Sequence, residues 1–158
     1  MSYAVLKTLH LLSVIVWIGG MVFAHFFLRP ALAQFELPVR VRLMHGVLAR
    51  FFAAVLVAAV LALATGTWMI GQVAKQTVQA GLAFKMPVEW MLMTALGVLM
   101  VLIFGHIRFV LYKRLNAAVM AQDWPAGGGV LVQIRRWVAV NLAIGVVIVV
   151  VTMVGLSL

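Results

Sequence analysis

Four stretches of this sequence are long and apolar enough to cross a bilayer, and no other feature restricts its fold as severely. A helix needs about 20 apolar residues to traverse a hydrocarbon core of roughly 30 Å. The stretches run from about Tyr3 to Leu28, Phe51 to Ile70, Val88 to Leu111 and Trp137 to Leu158. Backbone amides in hydrocarbon have no water to bond, so spanning segments are helices or closed barrels, and runs of this length specify helices. Four spans of ~20 residues take about half of the 158-residue chain, leaving three connections and no separate soluble domain. The expected fold is all-α, a single-domain integral membrane bundle of four transmembrane helices.

Local signals set the expected helix ends. The first run stops at Arg29-Pro30, a charge followed by a helix-ending proline. Pro38 suits a first helical turn, so the second helix is free to begin ahead of Phe51. Ala31-Leu32-Ala33 resembles a cleavage site, but the run before it exceeds the about 7–15 residues of a signal core. No basic segment precedes that run, so a retained helix is expected.

Charge supports the membrane reading and orients it. Only 9% of residues are charged and 66% are hydrophobic, whereas a soluble domain is about a quarter charged. A soluble enzyme, a nucleic-acid binder and a disordered tail are thereby excluded. The net charge of +9 comes from 12 Lys and Arg against three acids, Glu36, Glu89 and Asp123. Arg29, Arg40, Arg42 and Arg50 flank the first connection, and Arg108, Lys113, Arg114, Arg135 and Arg136 flank the third. Lys7, Lys75 and Lys85 are the basic residues of the opposite side. Such an asymmetry places connections one and three in the cytoplasm and both termini outside, in the periplasm of a bacterial inner membrane. With no cysteine, disulfides, thiolate metal sites and c-type haem attachment are absent.

Ionisable residues within a span are costly and mark functional candidates. The four histidines, His10, His25, His45 and His106, are the obvious ones. His25 lies four residues before Arg29 and His106 two before Arg108, on helices running in the same direction. Both imidazoles are therefore expected at similar depth near the cytoplasmic side, with His45 nearer the cytoplasm and His10 near the outer side. His10 and His25 share a broad helix face but are about 22 Å apart, too far to ligate one planar cofactor. Imidazoles projecting into a water-free bundle make a natural b-type haem site. Depth favours His25 with His106 as axial pair, with His45 replacing or supporting one of them. Asn141, at about the same level, is placed to hydrogen-bond a ligand imidazole or a propionate. Arg29, Arg50 and Arg108 are placed to pair with propionates. Set against this, a histidine near a helix end can simply bond a neighbouring carbonyl.

Thioethers suit Cu(I), and Met69, Met86, Met91, Met93 and Met153 gather toward the outer side. Met91 and Met93 are two residues apart and face different directions, so packing is the favoured reading of these methionines. Glu89 marks the outer interface beside Trp90 and Lys85, and no carboxylate relay runs through a span. Trp68, Trp90 and Trp137 form an interfacial belt, and the glycines allow close helix approach.

Leu6-Lys7-Thr8-Leu9-His10 followed by Trp17-Ile18-Gly19-Gly20 resembles the first helix of the copper resistance D (CopD) family. Phe104-Gly105-His106, Tyr112-Lys113-Arg114-Leu115, Asp123-Trp124-Pro125 and Ile134-Arg135-Arg136 extend the resemblance over most of the chain. It implies four membrane helices and a role in copper uptake or tolerance. The same opening is more distantly similar to HemJ-type protoporphyrinogen oxidase, which implies haem b and porphyrin redox chemistry. The segment Met21 to Leu28 departs from that second pattern. Both resemblances point to His10 and His106, a pair that depth keeps from gripping one iron, so His10 is expected to serve a separate site or a substrate.

The expected function is a haem b-binding membrane redox protein, with copper binding or transport, or a non-catalytic membrane subunit, as alternatives. Its partners are the lipid bilayer and a quinone, a porphyrin or a copper ion, without nucleic acid, and so thin a bundle suits a homo-oligomer. The haem reading predicts a Soret band in the purified protein, lost in His106→Ala. Colourless protein from haem-replete cells overturns it.

Overall fold

In the computed structural model, which describes residues 2–155, the chain forms four long helices joined by short turns. We number them α1 (Tyr3–Leu32), α2 (Leu37–Gln79), α3 (Val88–Met120) and α4 (Trp124–Gly155). All four are long and apolar enough to cross a membrane. The final residues of the span expected from Trp137 to Leu158 lie outside the described residues.

The helix ends follow from local chemistry. Ser2 caps α1, its hydroxyl accepting from the Val5 N–H, and Pro38 sits in the first turn of α2. Pro87 precedes α3, which carries Glu89 in its first turn against the positive end of the helix dipole. The Asp123 carboxylate accepts from the Ala126 N–H at 3.0 Å and opens α4. Helix α2 closes where Gly81 turns left-handed (φ 75°), so that Leu82 N–H reaches the Thr77 carbonyl and Gly81 N–H that of Val78. Helix α3 closes the same way on Gln122 (φ 56°), which puts a side chain where glycine is preferred. That turn sets Asp123 directly at the head of the next helix.

Three boundaries differ from expectation. The second span lies inside a helix of 43 residues, about 64 Å long, so α2 projects from a hydrocarbon core of roughly 30 Å. The first and third connections shrink accordingly to residues 33–36 and 121–123. Helix α1 also continues past Arg29-Pro30 to Leu32, because Phe23–Leu28 is wound as a π-helix. The Arg29 N–H there bonds the Ala24 carbonyl, five residues back. The wider turn makes room for the Pro30 ring, which in a regular α-helix would strike the carbonyl four residues behind it. A second π-helical segment, Ile107–Leu111, interrupts α3.

Helices α1 and α2 pack along their length as one antiparallel pair, α3 and α4 as another. Helix α4 bridges the pairs through contacts with α1 and α2. Trp17 meets Phe104 edge-on at 5.9 Å between ring centroids, and Phe104 meets Phe52 at 6.0 Å. Phe52 in turn stands against Tyr112 at 5.6 Å. Met21, Leu48, Ile107, Leu111, Leu115 and Ile134 complete this core, while Leu12, Ile15, Leu102 and Val150 face outward. That outward apolar surface suits lipid, where packing of side chains rather than release of water joins the helices.

Glycines let three helices close up. The Phe51 ring lies over Gly20, and a Cβ on Gly127 would come within 2.9 Å of Val41 Cγ1, a side chain with no exposed surface. A Cβ on Gly129 would meet nothing within 4 Å. Alanine in place of a helical glycine is favoured by roughly 0.5–1 kcal/mol. Gly129→Ala is therefore expected to raise the thermal midpoint in detergent by about 1–4 °C, and Gly127→Ala to lose that gain against Val41. Equal stabilisation by both would show that α2 and α4 do not touch at Gly127.

Candidate functional site

The polar side chains of the membrane segments separate into three groups, and the first is built around His10. Its Nδ1 lies 3.0 Å from the Ala62 carbonyl oxygen and 3.1 Å from Thr65 Oγ1, both on α2. A carbonyl only accepts, so Nδ1 carries the proton and donates it. Thr65 sends its own hydroxyl proton to the Leu61 carbonyl, which leaves its oxygen free to accept from His10. The imidazole is thus held in one tautomer with a bare lone pair on Nε2. Such second-partner bonds orient histidines that bind metals.

His10 borders a cavity of about 110 Å³ in the half of the bundle away from the 33–36 and 121–123 turns. Met93 and Met100 of α3 line the same cavity, with Trp17, Thr67 and Thr94. The two methionines are seven residues apart, so they lie on one face of α3 about two turns from each other. Helix register explains the meeting. A Cβ on Gly145 would sit 3.1 Å from Ile18 and 3.2 Å from Met100, which puts these three residues at one level. Eight residues up α1 from Ile18 is His10, and seven up α3 from Met100 is Met93. Glycine at Gly66 keeps α2 close, since a Cβ there would meet the His10 ring at 3.3 Å.

The second group lies about 10 Å from that level in the other direction. His25 and His106, seven residues from Ile18 and six from Met100, share this depth. His25 lies within one π-helical segment and His106 immediately precedes the other, a feature frequent at functional sites. His25 is half-buried, stands edge-on to Phe26 at 4.9 Å, and its buried Nδ1 has no partner. His106 lies on the exposed side of α3, edge-on to Trp137 at 5.4 Å. Asn141 is 1% exposed and its Oδ1 is also without a partner. Arg108 holds its guanidinium carbon 5.2 Å from the Tyr112 ring centre, with Nε buried and unbonded. Arg50 is exposed.

The third group is centred on His45. His45 stacks on Tyr112 with ring centres 5.3 Å apart and planes within 4°. Its Nε2 lies 2.9 Å from Asn116 Oδ1 and donates to it, while the Tyr112 hydroxyl donates to the His45 carbonyl at 3.3 Å. These bonds tie α2 to α3 and occupy Nε2 of the imidazole.

Among the described residues no group of three or more His, Asp or Glu could hold a metal ion. Met93 stood among the outer methionines singled out from sequence, whereas Met100 did not, although its seven-residue spacing from Met93 was visible. Met91 and Met153 are exposed.

Four antiparallel apolar helices, with a small cavity lined by an imidazole and two thioethers, define a multi-pass membrane protein. The family model of copper resistance protein D matches residues 45–155, and the chain belongs to that family. The matched segment supplies Met93, Met100 and Gly145, while His10 precedes it. No curated protein and no solved structure matches the chain.

Proposed function

We propose that this chain binds Cu(I) as cargo in the cavity, with His10 and Met93, which share a level, as its donors and Met100 lining the cavity about two turns further along α3. The observation that carries the reading is the His10 tautomer, pinned by the Ala62 carbonyl, in a cavity that also contains two thioethers. Neutral imidazole and thioether are soft enough for Cu(I), and hard divalent ions prefer the oxygen donors that this cavity offers only as two threonine hydroxyls. The cavity lies in the half of the bundle opposite the basic turns. By the positive-inside rule that half faces out of the cytoplasm, so copper enters from the periplasmic side of a bacterial inner membrane. Membership of the copper resistance D family supports the metal.

A second reading, a b-type haem near His25, rests on the partnerless atoms His25 Nδ1 and Asn141 Oδ1. The outward position of His106 weighs against an axial pair. The His10 cavity, at about 110 Å³, is smaller than the roughly 300–1,000 Å³ of pockets for drug-sized ligands, and a porphyrin is too large for it.

Competition with a chromophoric Cu(I) chelator under reducing conditions tests the copper reading. One ion per chain is expected, with His10→Ala and the Met93→Leu/Met100→Leu pair each weakening affinity by about tenfold or more. Leucine conserves volume, so the methionine variant keeps the packing. Unchanged affinity in all these variants overturns the assignment.

A further inference from the structure

At the end of the bundle that holds the 33–36 and 121–123 turns, a second cleft of about 260 Å³ opens between the last turn of α1, the start of α2 and α4. Arg29, Arg40 and Arg135 converge on it from those three helices. Arg29 and Arg40 are half-buried and Arg135 is exposed. Among the described residues none of the three guanidiniums has a hydrogen-bond or ion-pair partner, and Arg29 and Arg135 repel one another across the cleft. The chain has too few acids to neutralise them. Glu89 is at the far end, Asp123 caps α4, and Glu36 is an exposed residue of the turn.

The floor of the cleft is apolar. Leu32, Met44 and Leu131 are buried beneath the arginines, and Val132, 51% exposed, continues the apolar surface outward along α4. Gly128 keeps the wall open on α4, where a Cβ would press on Leu37 at 3.2 Å. Three uncompensated guanidiniums above an apolar floor match a phosphate that carries an acyl chain. Arginine forks suit phosphate oxygens, and basic pockets between membrane helices bind lipid head groups. A free phosphate would use the arginines but leave the apolar floor and the Val132 surface without a role.

We infer that Arg29, Arg40 and Arg135 form a binding site for the phosphate of an anionic membrane lipid, separate from the His10 cavity. Native mass spectrometry of the full chain in neutral detergent tests this, with phosphatidylglycerol, phosphatidylcholine and inorganic phosphate titrated in turn. Phosphatidylglycerol is expected to bind one to one and about tenfold tighter than phosphatidylcholine. Arg40→Gln/Arg135→Gln is expected to abolish that preference, and Arg136→Gln, next along α4 and not on the cleft, to preserve it. The single Arg135→Gln change, at an exposed side chain, serves where the double variant fails to fold and is expected to give a partial loss. Equal binding of the two lipids, or a preference unchanged in Arg135→Gln and the double variant, overturns the site. Binding of inorganic phosphate without lipid preference overturns the lipid assignment.

Discussion

Inside hydrocarbon each backbone N–H and C=O must find its partner within its own helix or from a neighbouring side chain, and the architecture follows from that constraint. It forces the four apolar runs into helices and pushes every turn to the ends. It also accounts for the π-helical segment ahead of Pro30, which shifts the carbonyl that the proline ring would otherwise strike. The left-handed residues Gly81 and Gln122 stand where the chain leaves a helix, closing the last carbonyls with backbone bonds. The His10 bond to the Ala62 carbonyl belongs to the same logic, because that oxygen already accepts within α2 and uses its second lone pair for the imidazole.

Polar side chains in this bundle serve different ends according to whether a partner waits for them. His45 bonds Asn116 through its Nε2, its backbone carbonyl accepts from Tyr112, and it acts as a tie between helices. His10 is bonded at one nitrogen only, which orients the other. His25 and Asn141 present buried polar atoms with no partner, a costly arrangement that singles out their level of the bundle. The charged groups divide in space as well. Most of the basic residues gather toward the 33–36 and 121–123 turns, where Arg42 lies over the Trp124 ring, while no charged residue lines the His10 cavity. The proposed Cu(I) and lipid-phosphate sites therefore lie at opposite ends of one bundle.

Much of the architecture was legible in the residues. Hydropathy marked the four helices, and Pro38 marked where the second begins. The common depth of His25 and His106 followed from counting back from Arg29 and Arg108. Proline misled at Arg29-Pro30, because a hydropathy and breaker reading has no means of seeing a π-helical turn. The segment 71–79 read as part of a connection, although it is helix, since a helix that leaves the bilayer loses its apolar signature without losing its hydrogen bonds. Methionine was read as filling, and which two line the cavity with His10 depended on rotation about the axis of α3.

The sequence by itself determined that this is a four-helix membrane protein with its positive charge at one end, because transfer of apolar segments into lipid is decided segment by segment. It also determined which residues lie at similar heights, since rise along a helix is regular. Only the tertiary structure decided which side chains face one another across that height. His10 meets Thr65 rather than lipid, and His106 meets Trp137 at the exposed face rather than His25. Those choices depend on helix rotation and on which helices are neighbours. Glycine contacts and core packing set both, between residues far apart in the chain.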